Sequence, residues 1–187
     1  MSRRLTLRQR RSIASHEAGH AVAYLVLGKK FNFASVEDSH NNEYMGTLDF
    51  TGVTGDIWTL DELGTASMAG LAGERIAVSR PCGRLTEKAY NDGAYFDFAY
   101  IVNLYVGADI CEGLETDWKE TPYFAKKFVN DSLWEAYTLL TKHRDLHTRL
   151  TDALIEHGRL TFDQCREIQD QVATESVAAA AASAGAA

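Results

Sequence analysis

From Leu7 to Leu27 apolar and small residues recur at threes and fours, with Ile13, Ala14, Ala18, Ala21, Val22, Leu25 and Val26 on the repeat. That spacing predicts a helix, and Gly28 predicts its stop. The pattern then becomes alternating. FNFASVED (31–38) and YMGTLDF (44–50) read as strands joined by the turn residues HNNE, so 31–50 is expected to form a hairpin or part of a small sheet. TGVTGD (51–56) reads as loop. TLDELGTASMAGLAGERIAVSR (59–80) returns to a helical period, with Thr59 or Asp61 as its cap. Pro81 and nearby glycines break the pattern. AYFDFAYIVNLYVG (94–107) resumes it, with Ala94, Phe98, Ile101, Val102 and Tyr105 on one face. Two further helices are expected at about 121–142 and 144–157. A turn and a last short helix capped by Thr161 should follow. ESVAAAAASAGAA (175–187) has almost nothing to bury and reads as a frayed helix or disordered tail. The expectation is a mainly α fold with a small β element near 31–50, one domain over 1–170 and an Ala-rich tail over 171–187.

Composition changes this picture little. The chain has 187 residues, 45% of them hydrophobic, enough for a core without disulfide staples. Its net charge of −7 argues against nucleic acid as a partner. Arg3, Arg4, Arg8, Arg10 and Arg11 make one basic stretch, with no second patch to support it, and it reads as a solvated N-terminus. Cys82, Cys111 and Cys165 are far apart and never in a CxxC pair, which argues against a disulfide framework or a cysteine zinc knuckle and suggests a reducing, cytoplasmic setting. The apolar run AVAYLVLG (21–28) is far shorter than the roughly 20 residues that span a bilayer, so no membrane span is expected.

The chemistry concentrates in HEAGH, residues 16–20. On a helix, residues four apart share a face, so His16 and His20 can offer imidazole nitrogens to one ion. Glu17 is turned about 100° around the axis, close to that ion without binding it. It can take the proton of a metal-activated water and pass it to a leaving amine. A catalytic zinc of this kind needs a third protein ligand. Glu74, Asp92 and Asp97 are candidates, and spacing alone does not choose among them. Ala18, Gly19 and Ala21 leave room for another element beside the metal helix.

From about residue 10 to 170 the chain resembles the peptidase domain of FtsH-type, AAA-associated zinc metalloproteases. HEAGHAVAYLVLG is similar to that family's metal helix, and FASVED with MGTLDF to its strand pair. MAGLAGERIA, GAYFDFAYIV and LTKHRDLHTRLTDALIEHGRLTFDQCREI are similar to its later segments, in the same order. The resemblance implies a zinc site of His16, His20 and Asp97 with Glu17 as base. It makes Glu74 a residue that orients a ligand histidine from behind. It also implies polypeptide as substrate. Here YF stands before Asp97 where the family has SN, and no Walker A motif is present. The activity implied is therefore ATP-independent cleavage of flexible or unfolded chains, or cleavage of substrate delivered by a separate ATPase or adaptor. Gly46 and Thr47, on the second strand, are candidates for holding substrate as an added strand.

Other features are expected to be structural. HRDL (143–146) lacks every other kinase element. His143 and His147 are four apart but have no base beside them, and they read as a solvated helix face. His40 and His157 read as surface residues, and Trp58, Trp118 and Trp134 as packing residues. The alternative to an endopeptidase is a zinc-stabilised binding module of the same fold without turnover. Retention of Glu17 argues against it, because a structural site has no use for a base.

Overall fold

A computed structural model describes residues 5–36, 46–87, 95–106, 118–119 and 121–185. The chain runs α1 (Leu7–Val26), β1 (Phe33–Val36), β2 (Gly46–Asp49), α2 (Leu60–Ala77), α3 (Tyr95–Val106), α4 (Tyr123–Lys142), α5 (Arg144–His157), β3 (Arg159–Thr161) and α6 (Phe162–Gly185). It is mainly helical, with one small antiparallel sheet among the described residues, as the periodicity predicts. His40, Asp92 and the turn at 40–43 lie outside the described residues.

Three helix starts carry the same signature. Thr6 with Gln9, Thr59 with Glu62, and Thr161 with Gln164 each exchange side chain and backbone hydrogen bonds three residues apart. These capping boxes satisfy amide groups that the first turn leaves without partners. They settle the cap of α2 on Thr59 rather than Asp61.

Helix α1 packs on α2, on α5 and against the sheet, so HEAGH sits at the centre of the molecule. The crossing of α1 and α2 is close because glycine stands at both contact points. A methyl on Gly19 would lie 2.2 Å from the Ala69 carbonyl oxygen, and one on Gly73 would lie 2.3 Å from the Ser15 carbonyl oxygen. Helix α4 packs on the other side of α2, and α3 rests on both. The core between them holds Met68, Phe98, Ile101, Leu133 and Leu140, all essentially inaccessible to solvent.

The sheet order is β2-β1-β3. Phe33 opposes Asp49 and Val36 opposes Gly46 in the expected hairpin, while Phe33 opposes Thr161 on the other side. Strand β3 corrects the turn expected before the Thr161 cap. Gly158, at φ 75°, ends α5, and the next three residues return to pair with β1.

Three further expectations are corrected. The last helix, expected to be short, is 24 residues long, from Phe162 to Gly185. Alanine favours the helix even where nothing covers it. His147 is buried and not on a solvated face: its ring nitrogen Nε2 donates to the Ser15 carbonyl at 2.9 Å. Trp134 is 60% exposed, whereas Trp118 packs on Phe98 and Trp58 on Tyr24.

Candidate metal centre

His16 and His20 lie on one face of α1, directed at α2 and at the first turn of α3. Each imidazole is oriented through its Nδ1. His16 Nδ1 is 2.8 Å from Glu74 Oε1, and His20 Nδ1 is 2.8 Å from the Ala66 carbonyl oxygen. Both of those acceptors come from α2. A carbonyl accepts only, so His20 carries its proton on Nδ1, and the carboxylate favours the same tautomer for His16. The lone pairs of both Nε2 atoms then face into one space, where the two nitrogens stand 3.1 Å apart.

Asp97, in the first turn of α3, closes that space. Its Oδ2 is 3.2 Å from His16 Nε2 and its Oδ1 is 3.6 Å from His20 Nε2. Asp97 Oδ2 is buried and makes no hydrogen bond among the described residues. Gly70 forms the floor: a methyl there would lie 2.3 Å from His16 Nε2 and 2.5 Å from His20 Nε2.

These three residues fit a cation. A tetrahedral zinc with ligands about 2.0–2.1 Å away holds them about 3.3–3.4 Å from one another. The two Nε2 atoms are 3.1 Å apart, and the carboxylate meets His16 through Oδ2 at 3.2 Å and His20 through Oδ1 at 3.6 Å; with one ligand atom taken from each residue, the three lie within 4.8 Å of one another, close enough to share an ion. Two imidazole Nε2 atoms and a carboxylate aimed at one point repel one another unless a proton or a metal cation lies between them, and in the metal-free protein the ring proton fills that role. Among the described residues this is also the one group of three His, Cys, Asp or Glu side chains close enough to share an ion. Of the two described acids that the sequence offered as a third ligand, Asp97 is the one brought to the Nε2 face; Asp92 lies outside the described residues. Glu74 stands behind His16, where Ser12 also donates to it at 3.3 Å.

The electrostatics follow from the same contacts. Burial opposes charge on His16, but Asp97 and Glu74 outweigh it and hold the imidazole well above its ordinary range. His20 is raised by Asp97 against the same burial. Asp97 is pulled far below the usual carboxylate range by the two histidines, despite burial. Glu17, 6% exposed, is raised by burial, and the histidines draw it only partly back. A carboxyl raised in this way is a better proton acceptor than an exposed glutamate.

No family model matches the chain, and no curated protein matches it. The likeness to FtsH-type peptidases therefore rests on the motifs quoted above.

Gly46 has a neighbour that the sequence did not suggest. A methyl there would lie 2.5 Å from Glu17 Oε1 and from Ile13 Cγ2, so the start of β2 needs glycine to pass over Glu17. Thr47 is exposed on the same strand. Sequence reasoning missed Gly70 and the Ala66 carbonyl. The available signal was the run of small residues in GTASMAGLAG, which spaces Ala66, Gly70 and Gly73 along one side of α2.

Proposed function

We propose that the chain is a zinc-dependent endopeptidase acting on flexible or unfolded polypeptide, with a peptidase domain of the FtsH type. The observation that carries this reading is the convergence of His16 Nε2, His20 Nε2 and the Asp97 carboxylate close enough to share one ion, with the buried Glu17 one residue along the same helix. His16, His20 and Asp97 would hold the metal, and Glu74 and the Ala66 carbonyl would fix the two rings. When bound, zinc supplies Lewis acidity, polarising a carbonyl and acidifying water.

The remaining chemistry belongs to the chain. Glu17 accepts the proton of the attacking water and returns it to the leaving amine. Gly70 keeps the space beneath the two Nε2 atoms clear. Strand β2 carries Gly46 over Glu17, and among the described residues no strand pairs with its outer edge. An extended substrate added along that edge, at Gly46 and Thr47, passes beside the base. A binding module without turnover would bury Glu17 for no purpose, at a desolvation cost.

The test is cleavage of an unfolded, fluorescently quenched protein by the zinc-loaded chain, beside Glu17→Gln. The expected result is turnover that drops by at least about 100-fold in the variant while both forms hold one zinc. Equal activity in the two forms would remove Glu17 from the mechanism. No activity in either, with zinc bound, would favour the binding module.

A further inference from the structure

Glu17 and Tyr24 are seven residues apart on α1, two turns along one face and about 10.5 Å along the axis. Strand β2 runs beside that face, with Gly46 against Glu17 at one end. At the other, Phe50, the residue after the strand, stacks on Tyr24 with ring centroids 6.1 Å apart. The Trp58 ring meets Tyr24 edge-on at 5.0 Å. Phe50 is 50% exposed, Tyr24 and Trp58 are half-buried, and the neighbouring Ile57 is 87% exposed.

This cluster is braced. Lys29 Nζ lies 4.9 Å over the Trp58 ring, pairs with Glu62 at 3.1 Å, and donates to the Ile57 carbonyl. Tyr24 is supported from beneath by the buried Phe31, with centroids 6.0 Å apart. The indole and phenol are thus held in place while Phe50 and Ile57 face solvent. Rings fixed in advance lose little freedom on binding.

We propose that Tyr24, Phe50 and Trp58 form a subsite for an aromatic or large aliphatic side chain of an extended polypeptide on the β2 edge. The edge supplies backbone partners, and the rings select the side chain, the usual division of labour in strand addition. From Gly46 to Phe50 the chain advances about 13 Å, so the selected side chain lies three or four residues from the scissile bond. This inference rests on the endopeptidase reading for where the bond is cut, and on the strand geometry for the rest.

Binding tests it apart from turnover. The zinc-loaded Glu17→Gln chain is titrated into two fluorescein-labelled peptides, both extended and hydrophilic, one carrying a single Phe where the other has Ala. The Phe peptide is expected to bind about tenfold tighter. Phe50→Ala and Trp58→Ala, each with the helical circular dichroism of the parent, are expected to abolish that difference. Phe50 is exposed enough for its truncation to leave folding intact, so the test survives if Trp58→Ala does not fold. Equal binding of the two peptides, no binding of either, or a tenfold preference that persists in Phe50→Ala would overturn the subsite. Cleavage by the parent chain is measured separately. A Phe preference without turnover keeps the subsite and removes the peptidase; turnover without the preference does the reverse.

Discussion

Gly70 is the position where a single methyl group would separate folding from the proposed metal binding. In Gly70→Ala the new carbon would fall 2.3 Å and 2.5 Å from the two Nε2 atoms. It would meet the ends of side chains, which can swing away, and not a backbone. The helix itself gains, because alanine is favoured over glycine by about 1 kcal/mol in a helix interior. The variant is therefore expected to keep its thermal stability without metal and to lose zinc, read as metal content after dialysis and as the absence of a zinc-induced rise in Tm. Glu74→Gln isolates a second contribution. Its amide still reaches His16 Nδ1 but without charge, so ring orientation survives and basicity falls. Zinc affinity measured by chelator competition should drop about 10- to 100-fold. An unchanged affinity would show that Glu74 serves only the fold. The two histidines and the glutamate between them were legible from spacing alone. Asp97 was not, since its position depends on how α3 lies across α2, and three acids satisfied the sequence equally.

Between elements, the close approach of α1 and α2 decides whether the histidines of one helix meet their partners on the other. The His20 ring finds the Ala66 carbonyl only because Gly19 and Gly73 bring the two backbones together. Gly19→Ala would push a methyl to 2.2 Å from a backbone oxygen that no rotamer change can move. Overpacking of this kind costs about 1–3 kcal/mol, and here the upper end is expected because the obstacle is rigid. Allowing for the helix propensity gained, the net loss should be about 2 kcal/mol, read from the urea midpoint. Unlike Gly70→Ala, this variant should lose stability and zinc together. The period of each segment made the helices legible, as did Thr59 and Thr161 as caps; the Glu62 and Gln164 halves of those capping boxes emerged only in the structure. Strand β3 was not, because three residues with one buried side chain, Leu160, leave no alternation to read. Its partner, β1, lies more than a hundred residues earlier. The register of His147 was legible and misjudged: Leu146, Leu150 and Leu154 mark the buried stripe, and His147 sits beside it.

At the scale of the whole molecule, His147 ties α5 to the helix that carries His16 and His20. Its imidazole donates to the carbonyl of Ser15, the residue before His16, and it also bounds the space that Gly73 leaves open. Burial lowers its pKa below the ordinary 6.5; the Ser15 carbonyl partly offsets this and Arg144 adds to the lowering. The sign of the linkage follows from proton counts. Below about pH 6.5 the unfolded chain binds a proton at this position while the folded chain does not, so stability falls as pH falls. Above that value both states are neutral and the full contribution is present. His16 and His20 act oppositely in the metal-free protein, since their folded values are raised: they stabilise below the unfolded value and lose that contribution as pH rises through the folded one. With zinc bound the direction reverses, because the ligand nitrogens must be free of protons and acid releases the ion. The zinc-loaded chain should therefore lose Tm steeply from about pH 7 to about pH 5, where His147 and the zinc ligands act together. The metal-free chain should lose less over the same range, because the two contributions oppose. His147→Gln should flatten the metal-free curve further or invert it, at a lower Tm throughout. Parallel curves for the parent and His147→Gln would show that the buried imidazole does not report pH to the fold.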